Sequence, residues 1–205
     1  MHGLYVMATV GTVIASAIVA ICVWRLAEKS DRGWLAALFV GALPMCPLAY
    51  YYVRLPLDEM LRDLLGRTWP YLALKTLEAP ATEEPAKFWL ALLPYFRARL
   101  NRQNYVLAAV CLGFGFGIGE MWFIARLVAP TTPDLPWYNY FPFLSERLEV
   151  CFMHAAFTSL VLGRLDRLPR GVGLAVFAHW LVNFPIFVFA WLGIIGGIRG
   201  TILTL

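Results

Sequence analysis

"YVLAAVCLGFGFGIGEMWFIARLV", Tyr105 to Val128, is the stretch that decides what kind of molecule this is. Fifteen residues pass before the first charge, Glu120. A helix of this length and apolarity can cross the hydrocarbon core of a bilayer, which takes about 20 such residues. Its glycines at 113, 115, 117 and 119 form two overlapping GxxxG pairs, the pattern that lets another helix approach closely. The same letters do not suit a nucleotide site, because no strand precedes them. Glycine packing explains the run but leaves its acid, Glu120, unexplained.

Composition carries the same reading to the whole chain. Of 205 residues, 60% are hydrophobic and only 15% are charged, and the mean hydropathy is +0.67. A water-soluble domain of this length needs far more polar surface, so an integral membrane protein of one domain, residues 1–205, is expected in a lipid bilayer. The net charge of +4 is small, and its basic residues sit in short clusters between apolar runs. That is a topology signal and gives no support to nucleic-acid binding. Cys22, Cys46, Cys111 and Cys151 all lie within apolar runs without CxxC spacing and read as small buried hydrophobes. The first apolar run is long and has no basic residue before it, so a cleavable signal peptide is not expected.

Leu4–Leu26 and Trp34–Val53 are each long enough to span, the second kinked at Pro44 and Pro47. LPLDEMLRDLLGR places Leu57, Met60, Leu61, Leu64 and Leu65 at helical spacing opposite its charges, and reads as an interfacial amphipathic helix started by Pro56. Trp69–Phe96 has the length of a span, but EAPATEEPAK is expected to break it. PTTPDLPWYNYFPF reads as a loop rich in proline and interfacial aromatics. Leu148–Leu162 and Gly171–Leu192 follow as spans, and Gly193–Leu205 as a partial or seventh helix. The expected fold is all-α: a polytopic membrane helix bundle of about six or seven transmembrane helices plus the interfacial helix. Its motif-bearing core covers residues 67–192.

Three basic clusters set the orientation. Arg25, Lys29 and Arg32 follow the first run; Arg97, Arg99 and Arg102 the third; Arg164, Arg167 and Arg170 the fifth. One side collects them all. The positive-inside rule makes that side cytoplasmic and puts the N-terminus outside.

Counting about 1.5 Å per residue from the cytoplasmic ends places Glu83 roughly 20 Å deep, Glu120 roughly 24 Å, His154 roughly 13–15 Å and His179 roughly 12 Å. Ionisable groups at such depth cost a few kcal/mol each on insertion scales and are functional candidates by default. Each also has a plainer reading. Glu83 and Glu84, before Pro85, suit a helix N-terminus. Lys87 can pair with Glu83 at i, i+4, or with Glu84 instead, while Pro85 biases Glu84 toward a helix break. His154 alone reads as a hydrogen-bonded core histidine. His179 and Asn183, one turn apart, read as a structural pair. Apart from His2 at the terminus, both histidines sit in mid-membrane beside glutamates on other helices, and that shifts the balance toward function.

Such a set can hydrolyse. A carboxylate and an imidazole can hold and deprotonate a water, and a second imidazole with an amide can donate to an oxyanion. Alternatively, glutamates and histidines can ligate a divalent metal that lowers the water's pKa.

The ordered set resembles a known family. EExxK (Glu83, Glu84, Lys87), then GFGxGE ending at Glu120, then a histidine followed by small residues (His154, Ala155, Ala156), then HxxxN (His179, Asn183) resembles the PrsW intramembrane proteases. These are similar to the CAAX prenyl endopeptidases and bacteriocin-immunity membrane proteins. The resemblance implies an all-helical protease of the bacterial cytoplasmic membrane, classed as a metalloprotease. Its implied substrates are membrane-anchored proteins such as anti-sigma factors. It also implies that Glu83 with His154 positions the water, and that His179 with Asn183 stabilises the oxyanion or completes a metal site. Glu84, Lys87 and Glu120 would support them. If zinc is the cofactor, its ligands would come from Glu83, Glu84, Glu120, His154 and His179. Three positions depart from the pattern: Met121 follows Glu120 in place of asparagine, Asn183 stands where several relatives carry aspartate, and Pro85 interrupts EExxK. The competing reading is a non-enzymatic membrane protein, either a proton-coupled transporter or an inactive binding scaffold. Buried acids and histidines also serve proton relays, but the chain has no internal repeat of the kind many transporters carry.

Overall fold

The computed structural model describes residues 2–66 and 68–191, so the helix expected over 193–205 lies outside the described residues. Every regular element among the described residues is helical, as expected. The chain forms α1 (Gly3–Leu26), α2 (Arg32–Ala42), α3 (Met45–Ala49), α4 (Leu55–Leu65), α5 (Trp69–Leu92), α6 (Pro94–Arg97), α7 (Tyr105–Val128), α8 (Phe141–Leu162) and α9 (Leu168–Trp191).

α7 is the axle of the fold, and its glycines make it so. Gly113 and Gly117 face α8: a Cβ on Gly113 would run into the backbone of His154 and Ala155, and one on Gly117 would meet Cys151 Sγ at 2.7 Å. Gly115 and Gly119 face the other way, against the carbonyl oxygens of Phe39 in α2 and Leu43 just beyond it. Each GxxxG pair therefore serves a different neighbour. α1 closes the third side, where a Cβ on Gly11 would meet Met121 Sδ at 2.6 Å. Leu35, Leu38, Cys111, Leu112, Cys151 and Val161 are fully enclosed in the resulting apolar core. All four cysteines are free thiols and three are buried, matching their reading as small core hydrophobes.

The second apolar run bends by 44° where α2 ends and α3 begins, at the expected prolines. A π-helical turn, Tyr50–Arg54, leads on into α4, and Gly66 ends α4 in the left-handed backbone region at φ 61°. α4 is the expected amphipathic helix, but its Asp58 turns inward. It accepts from Tyr71 Oη at 2.7 Å and pairs with Lys75 at 2.7 Å, both on α5.

Two expectations on helix boundaries are corrected. EAPATEEPAK does not break its segment: α5 runs unbroken through Pro80 and Pro85. Each proline removes one backbone donor, a loss that neighbouring helices and hydroxyl side chains can offset at membrane depth. The Thr82 hydroxyl, between the two prolines, donates to the Glu78 carbonyl at 2.8 Å, a bond within the helix that does not replace the donors missing at Pro80 and Pro85. The expected span Leu148–Leu162 starts two turns earlier, at Phe141, where Pro142 suits the first turn.

α1 and α7 are each long and apolar enough to cross a membrane. Counting α2 with α3–α4 as one bent span, and Trp137–Leu162 with Leu165–Pro185 as another bent by 71°, raises the number to four. A count of six or seven is not reached by length and apolarity among the described residues. α5 has the length of a span but carries Lys75, Glu78, Glu83, Glu84 and Lys87 along it.

The basic clusters do share one end. Asn104 Nδ2, before α7, donates to Asp31 Oδ2, before α2, at 3.2 Å. Gly163, after α8, packs on the Tyr105 ring at the start of α7. The opposite end gathers the N-terminus and the proline-rich loop, with Gly3 against the Tyr140 ring and His2 Nε2 3.4 Å from the Thr132 carbonyl oxygen.

Candidate functional site

α5 carries Glu83, Glu84 and Lys87 on the face it turns to the bundle, where Glu84 and Lys87 are fully enclosed at 0% exposure. Charges this deep persist only with partners. α7 supplies Glu120, α8 supplies His154 and α9 supplies His179. The glycine contacts that draw α8 onto α7 at His154 also fix the height at which Glu120 and His154 meet.

Lys87 is the hub. Its Nζ donates to Glu84 Oε1 at 2.6 Å and to His154 Nδ1 at 2.7 Å. Of the two pairings open to Lys87, with Glu83 or with Glu84, the structure has the one with Glu84. His154 Nε2 lies 2.7 Å from Glu120 Oε2, and His179 Nδ1 lies 2.6 Å from Glu84 Oε1. These contacts dictate the tautomers. An ammonium only donates, so His154 Nδ1 accepts; an ionised carboxylate only accepts, so His154 Nε2 carries the proton. By the same logic His179 donates from Nδ1 to Glu84. Its Nε2 then faces Glu83 Oε2 at 3.9 Å, beyond direct hydrogen-bond reach. Aromatic rings wall the cluster. Phe157 stacks on His179 at 5.2 Å between centroids, Phe116 stands edge-on to His154 at 5.0 Å, and Lys87 Nζ is 5.0 Å from the Phe116 ring centre.

The six ionisable candidates therefore meet in one continuous cluster. The division of labour differs from expectation in one respect: both ring nitrogens of His154 are engaged, by Lys87 and Glu120, so the imidazole that faces Glu83 is that of His179. Asn183 lies one turn beyond His179 on α9, partly buried, and its side chain makes no hydrogen bond among the described residues.

Three participants escaped the sequence reading. Arg54, from the π-helical turn, reaches Glu83 Oε1 at 3.4 Å and Glu78 Oε2 at 3.6 Å. Glu78, on α5 and 2% exposed, also lies 2.8 Å from Lys75 Nζ, an ion pair whose angles fall short of a hydrogen bond. Arg147, on α8, donates to Glu120 Oε1 at 3.0 Å and to Glu146. Charge at helical spacing would have found Arg147, which stands seven residues, two turns, before His154; Glu78 is at that spacing only from Lys75, and Arg54 carries no such signal toward the candidates.

The five residues named for a zinc ion do not form one ligand set as they are arranged. The Lys87 ammonium bonds both Glu84 and His154, and Glu120 is committed to His154 and Arg147. Among the described residues no group of three or more histidine, cysteine, aspartate or glutamate side chains is placed to hold one ion. The donors left uncommitted among the described residues are Glu83 Oε2, His179 Nε2 and Glu84 Oε2, the last buried without a hydrogen-bond partner there. Comparison of the chain with family models, curated proteins and solved structures finds no match.

Proposed function

We propose that this chain is an intramembrane endopeptidase, hydrolysing peptide bonds of membrane-anchored proteins, with anti-sigma-factor-like proteins as the implied substrate class. It would act as a multi-pass protein of a bacterial cytoplasmic membrane with its N-terminus outside. The ordered motifs that resemble the PrsW family support this reading. The observation that carries it is the facing pair Glu83 Oε2 and His179 Nε2, 3.9 Å apart in a buried, charge-lined cluster.

Two acceptors at that separation match one water, which can donate a proton to each at ordinary hydrogen-bond length. In the mechanism proposed, Glu83 takes a proton as the water oxygen attacks the scissile carbonyl carbon, and later delivers it to the departing amine nitrogen. His179 holds the same water. Its Nδ1–H is anchored on Glu84, which keeps Nε2 as an acceptor. Asn183, one turn away, offers amide donors to the developing oxyanion. Arg54 holds the other oxygen of Glu83, leaving Oε2 for the water. No step is routed through a metal.

A second reading has its own observation. The hydrogen bonds run without interruption from His179 through Glu84, Lys87, His154 and Glu120 to Arg147, as a proton relay would require.

The test is co-expression with a library of single-pass membrane proteins, comparing wild type with Glu83→Gln. Cleavage products should appear with wild type and fall by about 100-fold or more in the variant. Elemental analysis of the active preparation should find transition metal well below one equivalent. Wild-type cleavage by Glu83→Gln would remove Glu83 from the mechanism. One equivalent of metal with chelator-sensitive activity would replace the glutamate-activated water with a metal-activated one. Proton uptake in proteoliposomes without cleavage of any library member would favour the relay.

A further inference from the structure

Arg147 belongs to no motif, yet it is 8% exposed and buried with a full charge. It sits on α8 two turns before His154, so the two side chains leave the same face of the helix. Glu120 of α7 comes between them and divides its oxygens: Oε1 accepts from Arg147 Nη1 at 3.0 Å, and Oε2 accepts from His154 Nε2 at 2.7 Å. With Oε1 held, the carboxylate cannot turn, and Oε2 stays where His154 must donate to it. His154 is then fixed with its proton on Nε2 and its Nδ1 lone pair toward Lys87. Holding α8 against α7 does not require this arginine. The backbone contacts of Gly113 with His154 and Ala155, and of Gly117 with Cys151, already do that.

We infer that Arg147 is a positioning residue of the site, acting through Glu120 to lock the tautomer and ring orientation of His154, and through His154 to hold the Lys87 ammonium on Glu84. The catalytic part of this inference rests on the hydrolytic reading; the tautomer lock does not. A planar guanidinium that spans Glu120 and Glu146 suits the task better than an ammonium, which is a point charge on a flexible stem.

The experiment uses the full chain in detergent micelles with ¹⁵N-labelled histidine. Only His2, His154 and His179 contribute ring signals, and His2→Gln and His154→Gln variants assign them. Wild type should show His154 as a single Nε2–H tautomer. Arg147→Gln should give a mixture of tautomers in a protein that still folds, with Glu120 left to His154 alone, and Arg147→Lys should restore most of the wild-type pattern. In cleavage assays Arg147→Gln should lower kcat about 10- to 100-fold with KM within about twofold. The double variant with Glu120→Gln should be no slower than Glu120→Gln alone, because both act on one lock. A single unchanged tautomer in Arg147→Gln would overturn the inference, and so would multiplicative losses in the double variant. If Arg147→Gln fails to fold, Arg147→Met decides: a mixture of His154 tautomers in that folded protein supports the lock, and a single unchanged tautomer refutes it. A tautomer shift without cleavage by any variant, wild type included, would leave the lock standing and remove the hydrolytic reading.

Discussion

α5 and α7 are both 24 residues long, and both pack against three or more other helices, but they bury themselves by opposite means. α7 does it by subtraction. Its glycines remove side chains until the backbones of α8 and α2 touch it, and dispersion over close surfaces holds the three together. α5 does it by addition, carrying Glu78, Glu83, Glu84 and Lys87 inward and meeting them with Arg54, Lys75, His154 and His179 from its own turns and from three other segments. The first kind of contact tolerates almost no added atom. The second tolerates no missing partner, because the remaining charge stays buried and uncompensated.

The largest stability effect should therefore come from α5. Lys87→Met removes the ammonium shared by Glu84 and His154 while keeping the volume of the chain. A loss of about 3–5 kcal/mol is expected, the usual cost of breaking a buried pair from one side. Chemical unfolding in micelles measures it. Adding Glu84→Gln to Lys87→Met should recover a substantial part of the loss, since the orphaned carboxylate is then gone. A loss below about 1 kcal/mol, the range of a surface ion pair, would mean that water reaches the cluster and that α5 is not held by it.

The corresponding test on α7 adds atoms. Gly113→Ala places a methyl group against the backbone atoms of His154 and Ala155, which cannot rotate aside as a side chain can. Overpacking of this kind costs about 1–3 kcal/mol, and the upper part of that range is expected here. Gly117→Ala meets chiefly the Cys151 Sγ and should cost less. Equal losses at the two positions would show that α7 and α8 shift as rigid bodies and that the local contacts do not set the spacing.

The same contrast decides what could be read in advance. A GxxxG pair is a local signal: residues i and i+4 share a face whatever lies opposite, so the close approach on α7 was visible without knowing its partners. That the two pairs divide between α8 and α2 was not visible, because it depends on how the neighbours are placed around the axle. The ionisable residues of the cluster were legible by depth, since charge in an apolar run stands out in any register. Their pairings were not. Whether Lys87 meets Glu83 or Glu84 depends on the rotation of α5, and that rotation follows from a helix that continues through Pro85 where a break was expected. Arg147 was missed for a related reason. It lies just before the apolar run beginning at Leu148, and only the longer helix from Phe141 brings it onto the face of His154.

The smallest effect should also have the opposite sign. Gly173 lies in the first turns of α9, and a Cβ built there meets nothing within 4 Å among the described residues. It carries the same letter as Gly113 and sits in the same secondary structure, but among the described residues no helix backbone approaches it. Glycine in a helix interior costs roughly 0.5–1 kcal/mol relative to alanine through the freedom it loses on folding. With no contact to oppose the methyl group, Gly173→Ala should raise stability by about that amount and leave the site unchanged, since His179 lies nearly two turns further along α9. Unfolding measured beside Gly113→Ala in the same micelles gives the comparison directly. A loss at Gly173 similar to that at Gly113 would mean that another surface packs against α9 in the folded protein, and that close approach is not confined to α7.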